Sequence, residues 1–196
     1  MTNSDLNHYG NLIRVKELVF CPAVLFFNHT NYRPIQLNGL MKNGQEFEKY
    51  LAENIFVESE GWLWNSPIVY QNLLLGHPDL YNPVLKKLIE VKCRKNLEIQ
   101  KYDIAQAGLY ANILGYPKFI IIVGYLDDDN SLVMREKSFN ANPEIFSKFL
   151  EHVKRMKKQI DERKLEPETW DYCPKYAFEC RNCVYKDLCE KEKEEK

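Results

Sequence analysis

The run KFIIIVGYL, residues 118–126, is apolar almost throughout and lies between Pro117 and the polar cluster Asp127 to Asn130. So short a run with such boundaries predicts a buried strand that turns into a partner strand around residues 131–137. WLWNSPIVY (62–70) and NLLLGHPDLY (72–81) alternate apolar and polar positions, and LKKLIEVKC (85–93) follows after the turn dipeptide Asn82-Pro83. These read as antiparallel strands. Helical spacing appears elsewhere. Residues 43–57 carry Phe47, Tyr50, Leu51 and Ile55 on one stripe. Residues 101–114 stop at Gly115 and Pro117, and residues 143–164 place Ile145, Phe149, Val153, Met156 and Ile160 on an inner face. Residues 11–27 are apolar enough for a mostly buried helix, which Pro22 should end or kink near Cys21. Residues 28–40, with Tyr32 and Arg33, read as a polar loop. Helices and strands together predict an α/β fold with a central mixed sheet flanked by helices.

A length of 196 residues sets one domain as the expectation, spanning residues 1–189 with a core at about 42–140. The charged stretch EKEKEEK, residues 190–196, is expected to be a disordered tail. There is no internal repeat. A net charge of -1 gives no global sign of a polyanionic partner, so any nucleic-acid surface must be local. Residues 84–101 supply one, with Lys86, Lys87, Lys92, Arg94, Lys95 and Lys101 against only Glu90 and Glu98. With no signal segment and no apolar run near the roughly 20 residues of a membrane helix, the expected location is cytoplasmic, with no membrane partner.

Chemistry concentrates between Gly76 and Tyr110. Alternation along a strand puts Glu90 and Lys92 on one face and Val91 and Cys93 on the other. Asp79, on an adjacent strand with the same facing, would bring a second carboxylate to the same spot. Taken alone, Glu90 and Lys92 are an exposed strand pair contributing under about 1 kcal/mol, and Glu48 is a solvated helix glutamate. As a set they describe a hard-cation site for magnesium or manganese: Glu48, Asp79 and Glu90 as carboxylate ligands, with the Val91 backbone carbonyl available. Lys92 would orient the attacking water or neutralise a scissile phosphate. His77 shares the facing of Asp79, with a packing role at least as well supported. Cys93 faces away and reads as a buried thiol.

The second constellation is Cys180-x2-Cys183-x5-Cys189, with Cys173 seven residues earlier. The segment has too few apolar neighbours to bury three thiols, so a metal is the expected occupant. A zinc ion or an iron-sulfur cluster would each take a fourth ligand from Cys173, Cys21 or Cys93.

Gly76-x-x-Asp79, Glu90-x-Lys92 and Gln106-x-x-x-Tyr110 together resemble the signature of RecB-type PD-(D/E)XK nucleases. With Cys21-Pro22 and the late cysteines added, the sequence is similar to the CRISPR-associated RecB-like exonucleases, the fourth numbered Cas family, over nearly its whole length. That resemblance implies a 4Fe-4S cluster on Cys21, Cys180, Cys183 and Cys189, joining the N- and C-terminal segments. It also implies a magnesium- or manganese-dependent nuclease that trims DNA ends before spacer integration, beside the CRISPR integrase proteins. Gln106 and Tyr110 would help hold the lysine and the DNA backbone. Lys86, Lys87, Arg94, Lys95 and Lys101 would line the groove for single-stranded or end-bearing DNA. One position departs from the pattern: Gly44-x-x-x-Glu48 carries a glutamate where many members have histidine, and Cys173 is extra, which keeps local zinc open. Two other functions remain in view, a zinc-stabilised nucleic-acid-binding module without catalysis and a recombination, repair or restriction nuclease on the same fold.

Overall fold

The computed structural model describes residues 12–18, 22–30, 39–164, 166 and 185. Chain contacts divide these into two compact units. The first holds residues 12–15 and 39–146, the second residues 16–18 and 22–30 together with 147 onward.

The first unit is built on two mixed sheets. Five strands form the larger, in the order β2 (Leu63–Trp64), β5 (Leu80–Asn82), β6 (Lys87–Cys93), β7 (Lys118–Leu126) and β8 (Leu132–Asn140). β6 and β7 run parallel and the other neighbours antiparallel. Helix α3 (Lys101–Leu114) makes the crossover between the two parallel strands. β1 (Ile13–Arg14), β4 (Leu74–Gly76) and β3 (Ile68–Tyr70) form the smaller sheet, in that order. The central mixed sheet was expected; the smaller sheet was not. LLLGHPDLY is not one strand, because the chain leaves the small sheet at Gly76, bends through His77-Pro78-Asp79 and enters the large sheet at Leu80. Pro78 has no N–H to give a ladder, which is why the run breaks there.

α2 (Gly39–Asn54) starts a turn earlier than its apolar stripe suggests and covers one face of the large sheet. Phe47 and Leu51 pack there with Trp62, Leu80, Ile89, Val91 and Ile122, all under 7 % exposed, and Cys93 lies half-buried at the margin. α3 covers the opposite face, over Phe119, Ile121 and Val123. Gly115, at φ 69°, ends α3 in the left-handed conformation that glycine adopts without strain.

In the second unit, α1 (Pro22–Thr30) corrects the expected helix over residues 11–27. Pro22 opens the helix instead of ending it, since its missing N–H is unneeded in the first turn. The preceding residues form β1 and a 3-10 turn over Val15–Glu17. Phe27 stacks on Tyr185 at 5.5 Å, and the Tyr185 hydroxyl donates to Asn28 Oδ1 at 2.7 Å. Helix α4 spans Pro143–Glu162. Ile145 was expected on its inner face but is 63 % exposed; Phe146, Val153, Met156 and Gln159 are the buried positions. Cys21, Cys173, Cys180, Cys183, Cys189, Tyr32, Arg33 and the 190–196 tail lie outside the described residues.

β7 meets β8 at Gly124, where a Cβ would lie 2.5 Å from the Val133 carbonyl oxygen and 2.8 Å from Phe47 Cζ. Backbone cannot yield as a flexible side chain would, so Gly124→Ala is expected to lose about 1–3 kcal/mol of stability in urea unfolding. An unchanged midpoint would show that the α2 face is looser than described.

Candidate active site

Asp79 reaches Glu90 through strand register. Leu80 pairs with Ile89 in the antiparallel β5–β6 ladder, so the next step back on β5 meets the next step forward on β6: Asp79 beside Glu90. β5 has ended there, and the Asp79 carboxylate takes the place of the missing strand. Its Oδ2 accepts the Val91 N–H at 2.8 Å. An extended residue directs its N–H and C=O to the same edge, so the Val91 carbonyl also faces the gap left by β5.

Glu90 and Lys92 lie on the α3 face of β6. Lys92 Nζ donates to Glu90 Oε1 at 2.5 Å and lies 3.6 Å from Asp79 Oδ2. Glu90 is fully buried, and its Oε2 has no hydrogen-bond partner among the described residues. This excludes the reading of Glu90 and Lys92 as an exposed surface pair. Burial raises the Glu90 pKa well above the usual carboxylate value, the Asp79 carboxylate pushes it the same way, and Lys92 opposes both. Burial alone would favour neutral Lys92, but Glu90 and Asp79 outweigh it and hold the ammonium charged.

Glu48 comes to the same group from α2. Its carboxyl is raised by burial and then by Asp79, while Lys92 and a hydrogen bond from the Asn65 side chain lower it. Asn65 is a site residue to which the alternating run WLWNSPIVY assigns no role. It has φ 47°, a left-handed conformation unusual outside glycine, and its N–H donates to the Asp79 carbonyl at 3.0 Å. One residue thus fixes Asp79 through its backbone and Glu48 through its amide. The usable signal was asparagine's tolerance of that conformation beside Ser66-Pro67.

Tyr110 closes the site from α3. Its hydroxyl accepts from Gln106 Nε2 at 3.3 Å and from the His77 backbone N–H. Burial, with Glu90 and Asp79 nearby, raises its pKa, so the phenol stays protonated. Gly76 makes room for the ring, since a Cβ there would lie 2.8 Å from Tyr110 Cε1. The glycine, the aspartate three residues later and the tyrosine are therefore one packed unit.

The basic run of residues 84–101 does not stay together. Lys87 opens β6, five residues before Lys92 and so about 17 Å away at about 3.3 Å per residue, and Lys86 lies in the turn before it. Arg94 is engaged: its guanidinium grips the buried Asp103 carboxylate at 2.5 and 2.8 Å and touches the Tyr102 hydroxyl at 3.3 Å. Asp103 also accepts the Gln100 N–H at 2.8 Å, so the pair fastens the start of α3. Lys95 lies over the Tyr125 ring, and Lys101 is exposed at the first position of α3.

Among the described residues no three His, Cys, Asp or Glu side chains stand as a coordination set, and the Lys92 ammonium lies between Glu90 and Asp79. The chemistry of the donors nevertheless fits a hard divalent cation: Glu48 and Glu90 are each raised by burial and by the neighbouring Asp79 carboxylate, and Glu90 Oε2 is buried with no hydrogen-bond partner among the described residues.

No family model and no curated protein matches the chain. Solved structures do. The alkaline exonuclease LHK-Exo of Laribacter hongkongensis, in complex with dAMP, aligns with a TM-score of 0.62 at 13 % identity, covering 83 % of this chain and 94 % of its own. A phage-related exonuclease from Haemophilus somnus 129PT aligns at 0.54, with 15 % identity over 83 % of both chains. SSO0001 aligns at 0.53, with 15 % identity over 98 % of both. The fold is an exonuclease-type α/β fold.

A carboxyl whose pKa is raised by folding costs stability at pH values above the folded pKa. That cost vanishes below the unfolded value of about 4.5. Glu48→Gln is therefore expected to melt higher than the wild type at pH 8 in a chelator, with the gap closing as the pH falls to about 4.5. Equal or lower melting at pH 8 would mean that Glu48 is not held among like charges.

Proposed function

We propose that this chain is a magnesium- or manganese-dependent deoxyribonuclease of the exonuclease type, hydrolysing phosphodiester bonds in single-stranded DNA or at DNA ends. The observation that carries the reading is the fully buried Glu90, held by Lys92 on one oxygen, with no hydrogen-bond partner for the other among the described residues, beside Asp79 in the register. A fold has little reason to bury a carboxylate with an unused oxygen unless a ligand completes it. The exonuclease-type fold of the solved structures supports the same reading.

Glu48, Asp79, Glu90 and the Val91 carbonyl are the residues that would hold the ion. When bound, magnesium or manganese supplies a lowered pKa for its water and charge compensation at the scissile phosphate. Lys92 keeps its ammonium charged beside the two carboxylates and presents it to the phosphate and to the attacking water. Gln106 and the buried, protonated Tyr110 position the wall behind Glu90, and the half-buried Gln106 amide is the donor of the two that can reach the DNA backbone. Asn65 keeps Glu48 and Asp79 aimed at one point.

A 4Fe-4S cluster on Cys21, Cys180, Cys183 and Cys189 belongs to the same proposal. It is supported by the cysteine spacing and by one described contact: Tyr185, two residues after Cys183, docks on α1, whose first residue follows Cys21. The resemblance to CRISPR-associated exonucleases supports trimming of DNA before spacer integration in the cytoplasm, with the integrase proteins as partners. No helix among the described residues is long and apolar enough to cross a membrane.

Anaerobically purified protein is expected to degrade single-stranded DNA labelled at either end when given magnesium or manganese, and to stop in EDTA. Lys92→Ala and Asp79→Asn should each slow cleavage by at least about 10²-fold while keeping the wild-type circular dichroism spectrum. Binding without cleavage, with one zinc in place of about four irons per chain, would instead establish a nucleic-acid-binding module.

A further inference from the structure

A second polar constellation lies on the same face of the large sheet as Glu90 and Lys92. Cross-strand partners share a face, and the register carries the catalytic rows two strands outward. Glu90 pairs with Ile121 and Ile121 with Lys137, while Lys92 pairs with Val123 and Val123 with Arg135. Two spacings of about 4.8 Å put Arg135 about 10 Å from Lys92 at the Cα level. Ile121 and Val123, between them, are fully buried, whereas Arg135 and Lys137 are exposed on the edge strand β8.

These two cations line an open cleft of about 300 Å³ with Glu98 and Ile99, from the loop between β6 and α3. Neither has a carboxylate partner among the described residues; Lys137 Nζ lies 5.3 Å from the centre of the Phe139 ring. Glu98 is partly occupied by its own loop, with its carboxylate accepting from Asn96 at 3.3 Å and its carbonyl from Arg94 at 3.0 Å. The lining thus carries two positive charges against one negative. Arg94, by contrast, has already committed its guanidinium to Asp103.

We propose that Arg135 and Lys137 form a phosphate-binding subsite for the DNA strand cleaved at Lys92, gripping its backbone about one to two nucleotides from the scissile bond. The inference rests on the nuclease reading and adds to it the direction in which the substrate leaves the site. A guanidinium and an ammonium on alternate residues of one strand, about 7 Å apart, match the spacing of successive backbone phosphates. Ile99 offers an apolar surface to a sugar or base.

The test is binding, not cleavage. In a Lys92→Ala background, the affinity for a fluorescein-labelled 20-nucleotide single strand is followed by anisotropy from low to moderate salt. Arg135→Gln with Lys137→Gln should weaken binding at fixed salt and reduce the slope of log K against log salt by about 1.4, the loss of two contacts at about 0.7 each. Glu98→Gln should tighten binding by removing the one repulsive charge. Lys118→Gln with Lys148→Gln, the same charge removed elsewhere, should leave the slope unchanged. An unmoved slope in the Arg135 and Lys137 variant, with DNA still bound, overturns this subsite and leaves the nuclease reading standing. No binding by the Lys92→Ala protein at low salt overturns both.

Discussion

Everything at the centre of this molecule depends on one contact, the 2.5 Å bond between the Lys92 ammonium and the buried Glu90 carboxylate. Taking two ions out of water costs several kcal/mol each, and their attraction repays it only when the geometry is good and the remaining polar atoms find partners. Here one atom finds none among the described residues, Glu90 Oε2. Asp79 and Glu48 add further negative charge beside it, so one ammonium answers three carboxylates. Such a group is a liability to the fold by itself and an asset to a site that receives a cation and a phosphate. The deficit is the physical basis for reading function into this cluster instead of stability.

Holding that deficit together requires rigid surroundings, and the neighbouring elements supply them in sequence-local ways. β6 sits between two partners, so Glu90 cannot swing out without breaking the sheet. Asp79 is tied through the Val91 N–H on one side and the Asn65 N–H on the other. Tyr110 fits against Gly76 with no room for a methyl group. The Arg94–Asp103 pair fixes the first turn of α3 and therefore the register of Gln106 and Tyr110. Asn65 holds its place in a left-handed backbone conformation that asparagine tolerates, and its surroundings on both sides over-determine it.

How much of this was legible follows from which signals are local. KFIIIVGYL was readable as β7 to the residue, because an apolar run between turn residues has few alternatives. α3 was equally clear from its glycine stop. The carboxylates and the lysine were readable as a set, since period-two alternation fixed which of residues 90–93 share a face. What local pattern does not contain is where a chain changes partners. Residues 72–81 look continuous, yet Pro78 divides them between two sheets, and this division is what places Asp79 at a strand end with its carboxylate free to fill the gap. Pro22 misled for a related reason: proline forbids a helix interior and favours a helix start, and only the fold decides which applies. Ile145 lost its place on the inner face of α4 because Phe146, one position on, fixed the angle of the stripe.

Basic residues show the same limit most sharply. Six cations within residues 84–101 look like one patch, but a strand separates its residues by about 3.3 Å each and so spreads a sequence cluster along a line. Lys87 ends up at the other end of β6 from Lys92, with Lys86 in the turn before it, and Arg94 is consumed by Asp103. Arg135 and Lys137, more than forty residues downstream of Lys92, come to the same face because parallel and antiparallel pairing carry its row across β7 to β8. A cation's value to a polyanionic substrate therefore depends on whether its charge is still uncommitted once the fold has formed. By that criterion Arg135 and Lys137, from a distant segment, keep their charge uncommitted on the face of Lys92, while Arg94 of the basic run is spent on fastening the start of α3.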